Sequence, residues 1–104
     1  MATDLQITKE TIGDTLTVNI KGDLNVKTSP ILEEELKNAI GGVKKLILDF
    51  ANVKYISSVG LRVLLATEKT MRRQQGAMIL RHVNPAVKEI IRLAGFLQVM
   101  HIED

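Results

Sequence analysis

The sequence predicts an α/β fold in which a single mixed β-sheet carries helices packed mainly on one face. Near the N-terminus, two segments alternate apolar and polar residues across a turn, which indicates an antiparallel hairpin. Beyond them, helical periodicities alternate with short apolar runs, as in strand-helix-strand units with parallel strands. The predicted order of elements is therefore β-β-α-β-α-β-α-β.

The N-terminal hairpin is predicted from two stretches with a period of two. Residues 5–8 (LQIT) and residues 15–22 (TLTVNIKG) alternate apolar and polar side chains, as strands with one buried face do. Gly13 and Asp14 lie between them and favour a turn. The stretch that follows, GDLNVKTSP, is expected to be a loop.

Capping residues and glycines predict where the first two helices begin and end. In the first helix, Ser29 is the expected N-cap and Pro30 the first helical residue. The Gly41–Gly42 pair is expected to end it. The second helix is expected over about residues 58–75, with its end at Gly76.

The third helix is predicted from Asn84 as its N-cap, Pro85 at its start and Gly95 at its end. Its apolar side chains recur with helical spacing, at Val87, Ile90, Ile91 and Ala94. Three further strands are expected, at residues 43–50, 77–83 and 97–103. The first of these contains the apolar run 46–48, which favours burial on both faces and a central position in the sheet.

Composition indicates an ordinary globular protein and excludes several kinds of site. Hydrophobic residues make up 45% of the chain and charged residues 25%. The 104 residues are expected to form one domain, residues 1–104, with a core that needs no metal. The absence of cysteine excludes a thiolate nucleophile, a cysteine zinc site and a disulfide framework.

Charge and hydropathy predict where the protein acts. The charged N-terminus lacks the apolar region of a secretory signal, and no apolar run approaches the roughly 20 residues of a membrane span. A cytoplasmic protein without membrane insertion is therefore expected. A net charge of +2 with one short cationic cluster does not favour a nucleic-acid partner.

The stretch VKYISSVGLRVLL, residues 53–65, places adjacent serines where a buried strand turns into an amphipathic helix. One serine, Ser57 or Ser58, suffices as the helix N-cap. The second has no such role, and Gly60 in the first helical turn costs up to about 1 kcal/mol relative to alanine. A glycine there indicates that another group approaches the helix backbone closely.

A catalytic role for these serines is not favoured. A nucleophile elbow requires G-x-S-x-G, whereas this stretch reads ISSVG. The chain has only two histidines, His82 and His101, and neither stands in a readable triad. With no Walker-type loop and no metal-ligand pattern either, no enzyme activity, metal or cofactor is expected.

A regulatory phosphate is the alternative use of a serine at this position. The free N–H groups and the dipole of a helix N-terminus favour a dianion, and a phosphate changes what the surface binds. Arg62 lies four residues beyond Ser58, where it could pair with the phosphate or with a carboxylate on a partner. It could equally be an ordinary exposed helix residue.

Three segments together resemble the anti-sigma factor antagonist, or STAS, family over nearly the whole chain. LILDFANVKYISSVGLRVLL is similar to the family signature. VNIKGDLNVKTSPILEEEL resembles its strand, G-[DE]-L-[DN] motif and first helix, and NPAVKEIIRLAGFLQVMHIED resembles its final helix and strand. The family fold, a mixed sheet with helices on one side, agrees with the order of elements predicted above.

The resemblance implies partner switching. A protein of this kind binds an anti-sigma factor with a GHKL-type serine-kinase fold and so frees a sigma factor. The kinase then phosphorylates a serine, and a PP2C-type phosphatase removes the phosphate. The matching acceptor is Ser58, with Ser57 as the second choice. If Ser58 is the acceptor, its hydroxyl should be exposed, and Ser57 should be packed and act as the cap.

The chain departs from the commonest family form I-D-S-S-G-L-G at three positions. Ser57 replaces the aspartate, Val59 the second serine and Arg62 the last glycine. The residues expected to contact the partner are Asp23, Asn25, Ser57, Ser58, Val59, Gly60 and Arg62. The alternative interpretation is a STAS subunit of a transport or signalling complex, which docks proteins without a sigma-factor output. Asp23 and Asn25 could also serve only as turn residues.

Overall fold

The computed structural model describes residues 5–103. In that range the elements are β1 (Gln6–Ile12), β2 (Thr15–Lys21), α1 (Ser29–Ala39), β3 (Lys45–Asn52), α2 (Ser58–Arg73), β4 (Ala77–Arg81), α3 (Pro85–Leu93) and β5 (His101–Glu103). The strands form one sheet in the order β1-β2-β3-β4-β5, in which β1 is antiparallel to β2 and the other pairs are parallel. The predicted fold class and order of elements are confirmed.

The hydrophobic core lies on one face of the sheet. Alternate residues of the three inner strands belong to it: Leu16, Val18, Ile20, Leu46, Leu48, Phe50, Met78 and Leu80. All three helices contribute side chains to the same cluster, chiefly Leu32, Leu36, Leu61, Leu64, Met71, Val87 and Ile91. Because side chains alternate between faces along a strand, the helices cover the face to which these residues point. This confirms the predicted one-sided packing.

The β3 strand is central, as its apolar run predicted. It lies between β2 and β4, and Ile47 is buried although its neighbours Leu46 and Leu48 point to the opposite face. Ile47 pairs in register with Thr17 on β2 and Ile79 on β4, whose side chains share its face.

No helix between residues 5 and 103 is both long enough and apolar enough to cross a bilayer.

The start of α1 differs from the prediction. Thr28, not Ser29, is the N-cap, and Ser29 is a buried helical residue. The reason is Asn25, whose carbonyl oxygen accepts from both the amide (3.0 Å) and the hydroxyl (2.6 Å) of Ser29. These bonds draw Ser29 into the first helical turn, so the prediction was wrong by one residue.

Other boundaries shift where turns replace regular structure. The α2 helix ends at Arg73, and Gln75 (φ 60°) takes the left-handed position beyond it. The last strand is shorter than predicted because the carbonyl oxygen of Phe96 accepts from the amides of Val99 and Met100, which forms a turn. Ala94, expected in the core, is the exposed C-cap of α3.

Candidate functional site

Two loops meet at the carboxyl edge of the sheet. Residues 22–28 follow β2 and residues 53–57 follow β3, and neighbouring parallel strands end at the same edge. The amide of Leu24 donates to the carbonyl oxygen of Tyr55 (3.0 Å), and the amide of Ser57 donates to that of Leu24 (2.7 Å). The motifs G-D-L-N and I-S-S-V-G therefore form one surface.

The two serines of the second loop have different roles. Ser57 is the N-cap of α2, with an extended backbone, and its Oγ accepts a hydrogen bond from the amide of Gly60 (3.2 Å). Its side chain is buried, at 8% exposure. Ser58 is the first helical residue and is exposed, and its hydroxyl makes no hydrogen bond within residues 5–103. Ser57 therefore stabilises the helix, whereas the Ser58 hydroxyl is available to another molecule.

Alanine substitution should separate these roles. Ser57→Ala is expected to lower the free energy of unfolding by about 1 kcal/mol, since it removes a side-chain cap. Ser58→Ala should change it by less than about 0.5 kcal/mol, because an exposed hydroxyl without a partner is lost. Urea denaturation monitored by circular dichroism measures both. Equal losses for the two variants would contradict the assignment of Ser57 as the cap.

Gly60 is required by the close contact between the two loops. A β-carbon at this position would lie 2.7 Å from Cγ1 of Ile56 and 3.1 Å from both Cβ and the carbonyl oxygen of Leu24. Ile56 and Leu24 are themselves buried, so they have little room to move. The predicted close approach is confirmed. Since Gly60 is buried, its contact with a partner remains a prediction.

In the first loop, Asn25 and Thr28 hold the backbone in shape, whereas the Asp23 side chain is exposed. Oδ1 of Asn25 accepts from the amides of Lys27 and Thr28, each at 2.9 Å, and so forms an Asx turn. The Thr28 hydroxyl donates to the carbonyl oxygen of Asp23 (2.6 Å) and closes the loop. The Asp23 carboxylate is exposed and has neither a hydrogen bond nor an ion pair in the described part of the chain. Asn25 thus shapes the loop, and Asp23 presents a negative charge on it.

Exposed apolar side chains flank these polar groups. Val26 is 65% exposed, Tyr55 47% and Ile31 37%. We use the term Ser58 surface for six exposed or half-exposed residues chosen from the two loops and the first turns of α2: Asp23, Val26, Tyr55, Ser58, Val59 and Arg62. Sequence analysis missed Val26 and Tyr55, because an apolar residue in a short loop gives no periodic signal. Exposed apolar side chains that lie next to polar groups are typical of a protein-binding surface.

The two histidines make no hydrogen bond to either serine in the described part of the chain. Nδ1 of His82, the residue after β4, is 3.1 Å from both carboxylate oxygens of Asp49 on β3. Over residues 5–103, neither His82 nor His101 hydrogen bonds to Ser57 or Ser58, and no group of three or more potential metal ligands is found. The Ser58 hydroxyl is therefore exposed, and no base among the described residues hydrogen bonds to it.

A family model, related sequences and solved structures all match this chain to the same family of proteins. Residues 6–104 match the STAS domain. BtrV of Bordetella bronchiseptica, named as a candidate anti-sigma factor antagonist, is 32% identical over 99 residues, which are 94% of this chain and 85% of that protein. The anti-sigma F factor antagonist of Paenibacillus polymyxa is 29% identical over 103 residues, or 97% and 88% of the two chains. The crystal structure of an anti-sigma factor antagonist from Mycobacterium paratuberculosis superposes with a TM-score of 0.85 at 24% identity, covering 97% of this chain and 87% of that one.

Proposed function

This chain belongs to the STAS domain family, and on that premise we propose that it is an anti-sigma factor antagonist, which binds an anti-sigma factor and so frees a sigma factor. The observation that carries the proposal is the Ser58 surface. It combines a Ser58 hydroxyl that is exposed and has no hydrogen bond within residues 5–103, charged side chains and exposed apolar side chains, where backbone hydrogen bonds join the two loops. We place its action in the cytoplasm, where sigma factors work.

The partner in this proposal is an anti-sigma factor with a GHKL-type serine-kinase fold, and Ser58 is the residue that it phosphorylates. The helix N-terminus supports this choice, because unsatisfied N–H groups and the macrodipole favour the added charge of about −1.5 to −2. The exposure of Ser58 supports it further, since a kinase must reach the hydroxyl. Ser57 is the second choice, as its hydroxyl is buried and occupied. A PP2C-type phosphatase reverses the modification.

Some of the remaining site residues contact the anti-sigma factor in this proposal, and others hold the surface in shape. We assign contact with the anti-sigma factor to Asp23, Val59 and Arg62, which are exposed or half-exposed. Asn25 supports this surface by fixing the first loop. Such an interface would be of about standard size, roughly 1,600 Å² in total, and transient, because the partner must be exchanged.

The proposal is tested with the GHKL-type kinases of the same genome. The unphosphorylated protein should bind one of them, loaded with ATP, at micromolar concentration or tighter in isothermal titration calorimetry. Mass spectrometry after incubation should find one phosphate on Ser58, which is lost in Ser58→Ala and retained in Ser57→Ala. Failure of every such kinase to bind would reject the function and favour a docking subunit of other machinery. Phosphate on Ser57 would reject only the choice of serine.

A further inference from the structure

A small groove opens beside Ser58, between α2 and the residues that follow α3. Its volume is about 270 Å³, and its lining consists of Ser58, Leu61, Arg62, Leu65, Ala94 and Phe96. Four of these side chains are apolar, while Ser58 and Arg62 supply the polar groups. Leu93, next to Ala94 in the chain, is 71% exposed. The end of α3 thus extends the Ser58 surface with apolar groups that no sequence motif marks.

Arg62, an exposed residue of this groove, forms no ion pair within residues 5–103. Three of the five arginines form ion pairs, as Arg72–Glu68, Arg81–Glu103 and Arg92–Glu89. Arg62 forms neither an ion pair nor a hydrogen bond with residues 5–103, although Glu33 lines a neighbouring groove with it. Its guanidinium is therefore free to form a bidentate pair with a carboxylate from another molecule.

We infer that this groove receives a helix of the anti-sigma factor, which inserts an apolar side chain between Leu61, Leu65 and Phe96 and pairs a carboxylate with Arg62; this inference rests on the function proposed above. Small-molecule pockets usually measure about 300–1,000 Å³, so a groove of about 270 Å³ is better suited to side chains. Amphipathic helices bind such grooves through apolar residues three or four positions apart, which leaves neighbouring positions free for an acidic residue. The unpaired positive charge at the groove selects that acidic residue.

The position of Arg62 links this docking site to the phosphorylation of Ser58. Ser58 and Arg62 are four residues apart on α2, so their β-carbons lie about 5–6 Å apart on one side of the helix. A phosphate on Ser58 can therefore accept hydrogen bonds from the Arg62 guanidinium. One guanidinium cannot pair fully with both the phosphate and the carboxylate of the partner. Phosphorylation thus withdraws Arg62 from the partner in addition to placing negative charge at the groove.

Calorimetry with the ATP-loaded kinase that binds the wild-type protein tests the docking site. Arg62→Ala is expected to weaken binding by about 10- to 100-fold, since the partner carboxylate loses its pair. Ala94→Leu, which fills the groove from an exposed position, should weaken it by about tenfold or more. Arg73→Ala is the matched control and should bind within about twofold of wild type. Arg73 is also exposed and without an ion pair among the described residues, but lies about 16 Å further along α2.

A second measurement tests the link to the phosphate without the partner. In ³¹P NMR titrations of protein phosphorylated on Ser58, the midpoint of the second phosphate ionisation should lie about 0.2–0.4 pH units lower in wild type than in Arg62→Ala. Arg73→Ala should match wild type. If wild type binds but Arg62→Ala binds equally well, the docking inference is wrong and the proposed function stands. If wild type binds no kinase, both fail. Equal midpoints would reject the capture of Arg62 by the phosphate.

Discussion

Ser58→Glu is expected to bind the anti-sigma factor about 30- to 5,000-fold more weakly than the wild-type protein, although it remains folded. A carboxylate placed in a complementary interface is left unpaired or repels its neighbours, which commonly costs about 2–5 kcal/mol. Folding should be unaffected or slightly favoured, because a negative charge near a helix N-terminus contributes about 0.3–1 kcal/mol. Calorimetry measures the affinity, and urea denaturation measures the stability.

Two further variants make this result specific to the site. Ser58→Ala should bind like wild type but should not be released by incubation with ATP, because it cannot accept a phosphate. Gln75→Glu adds the same charge at an exposed position beyond the other end of α2 and should leave the affinity unchanged within about twofold. Equal binding by wild type and Ser58→Glu would show that the interface lies elsewhere on the molecule.

Local signals were sufficient to predict the fold. Capping residues and apolar periods fix the type and order of the elements, because these signals act within one or two turns of chain. Capping alone predicted that one of the two serines is the N-cap, since a helix has one, and the family resemblance implied that this serine is Ser57. The structure agrees, with Ser57 buried as the cap and Ser58 exposed.

Features that depend on distant contacts were not predictable. Ser29 precedes proline, a pattern typical of an N-cap, yet the two hydrogen bonds that the Asn25 carbonyl oxygen accepts place Ser29 inside α1. The groove at Phe96 depends on how the end of α3 packs beside α2, which no periodicity encodes. Leu24 lies in a polar loop, and its full burial follows only from contacts with the second loop. Tertiary packing, rather than propensity, decides each case.

Leu24→Ala is expected to lower the free energy of unfolding by about 2–5 kcal/mol, the range for removing a fully buried leucine side chain. Leu24 has 0% exposure, and its backbone joins the two loops through Tyr55 and Ser57. Its side chain is part of the hydrophobic core beneath the first loop, so its truncation leaves a cavity there. Urea denaturation monitored by circular dichroism gives the loss of stability.

The same cavity should loosen the surface that binds the partner. Where the protein remains folded, Leu24→Ala should therefore also bind the anti-sigma factor more weakly, because the backbone hydrogen bonds to Tyr55 and Ser57 then hold the first loop without its buried side chain. Val26→Ala, two residues away in the same loop, is the matched control for the loss of stability. Val26 is 65% exposed, so its truncation should change the stability by less than about 0.5 kcal/mol. It should nevertheless weaken the partner's binding, since Val26 lies on the Ser58 surface. Equal stability of the two variants would show that Leu24 does not anchor the loops.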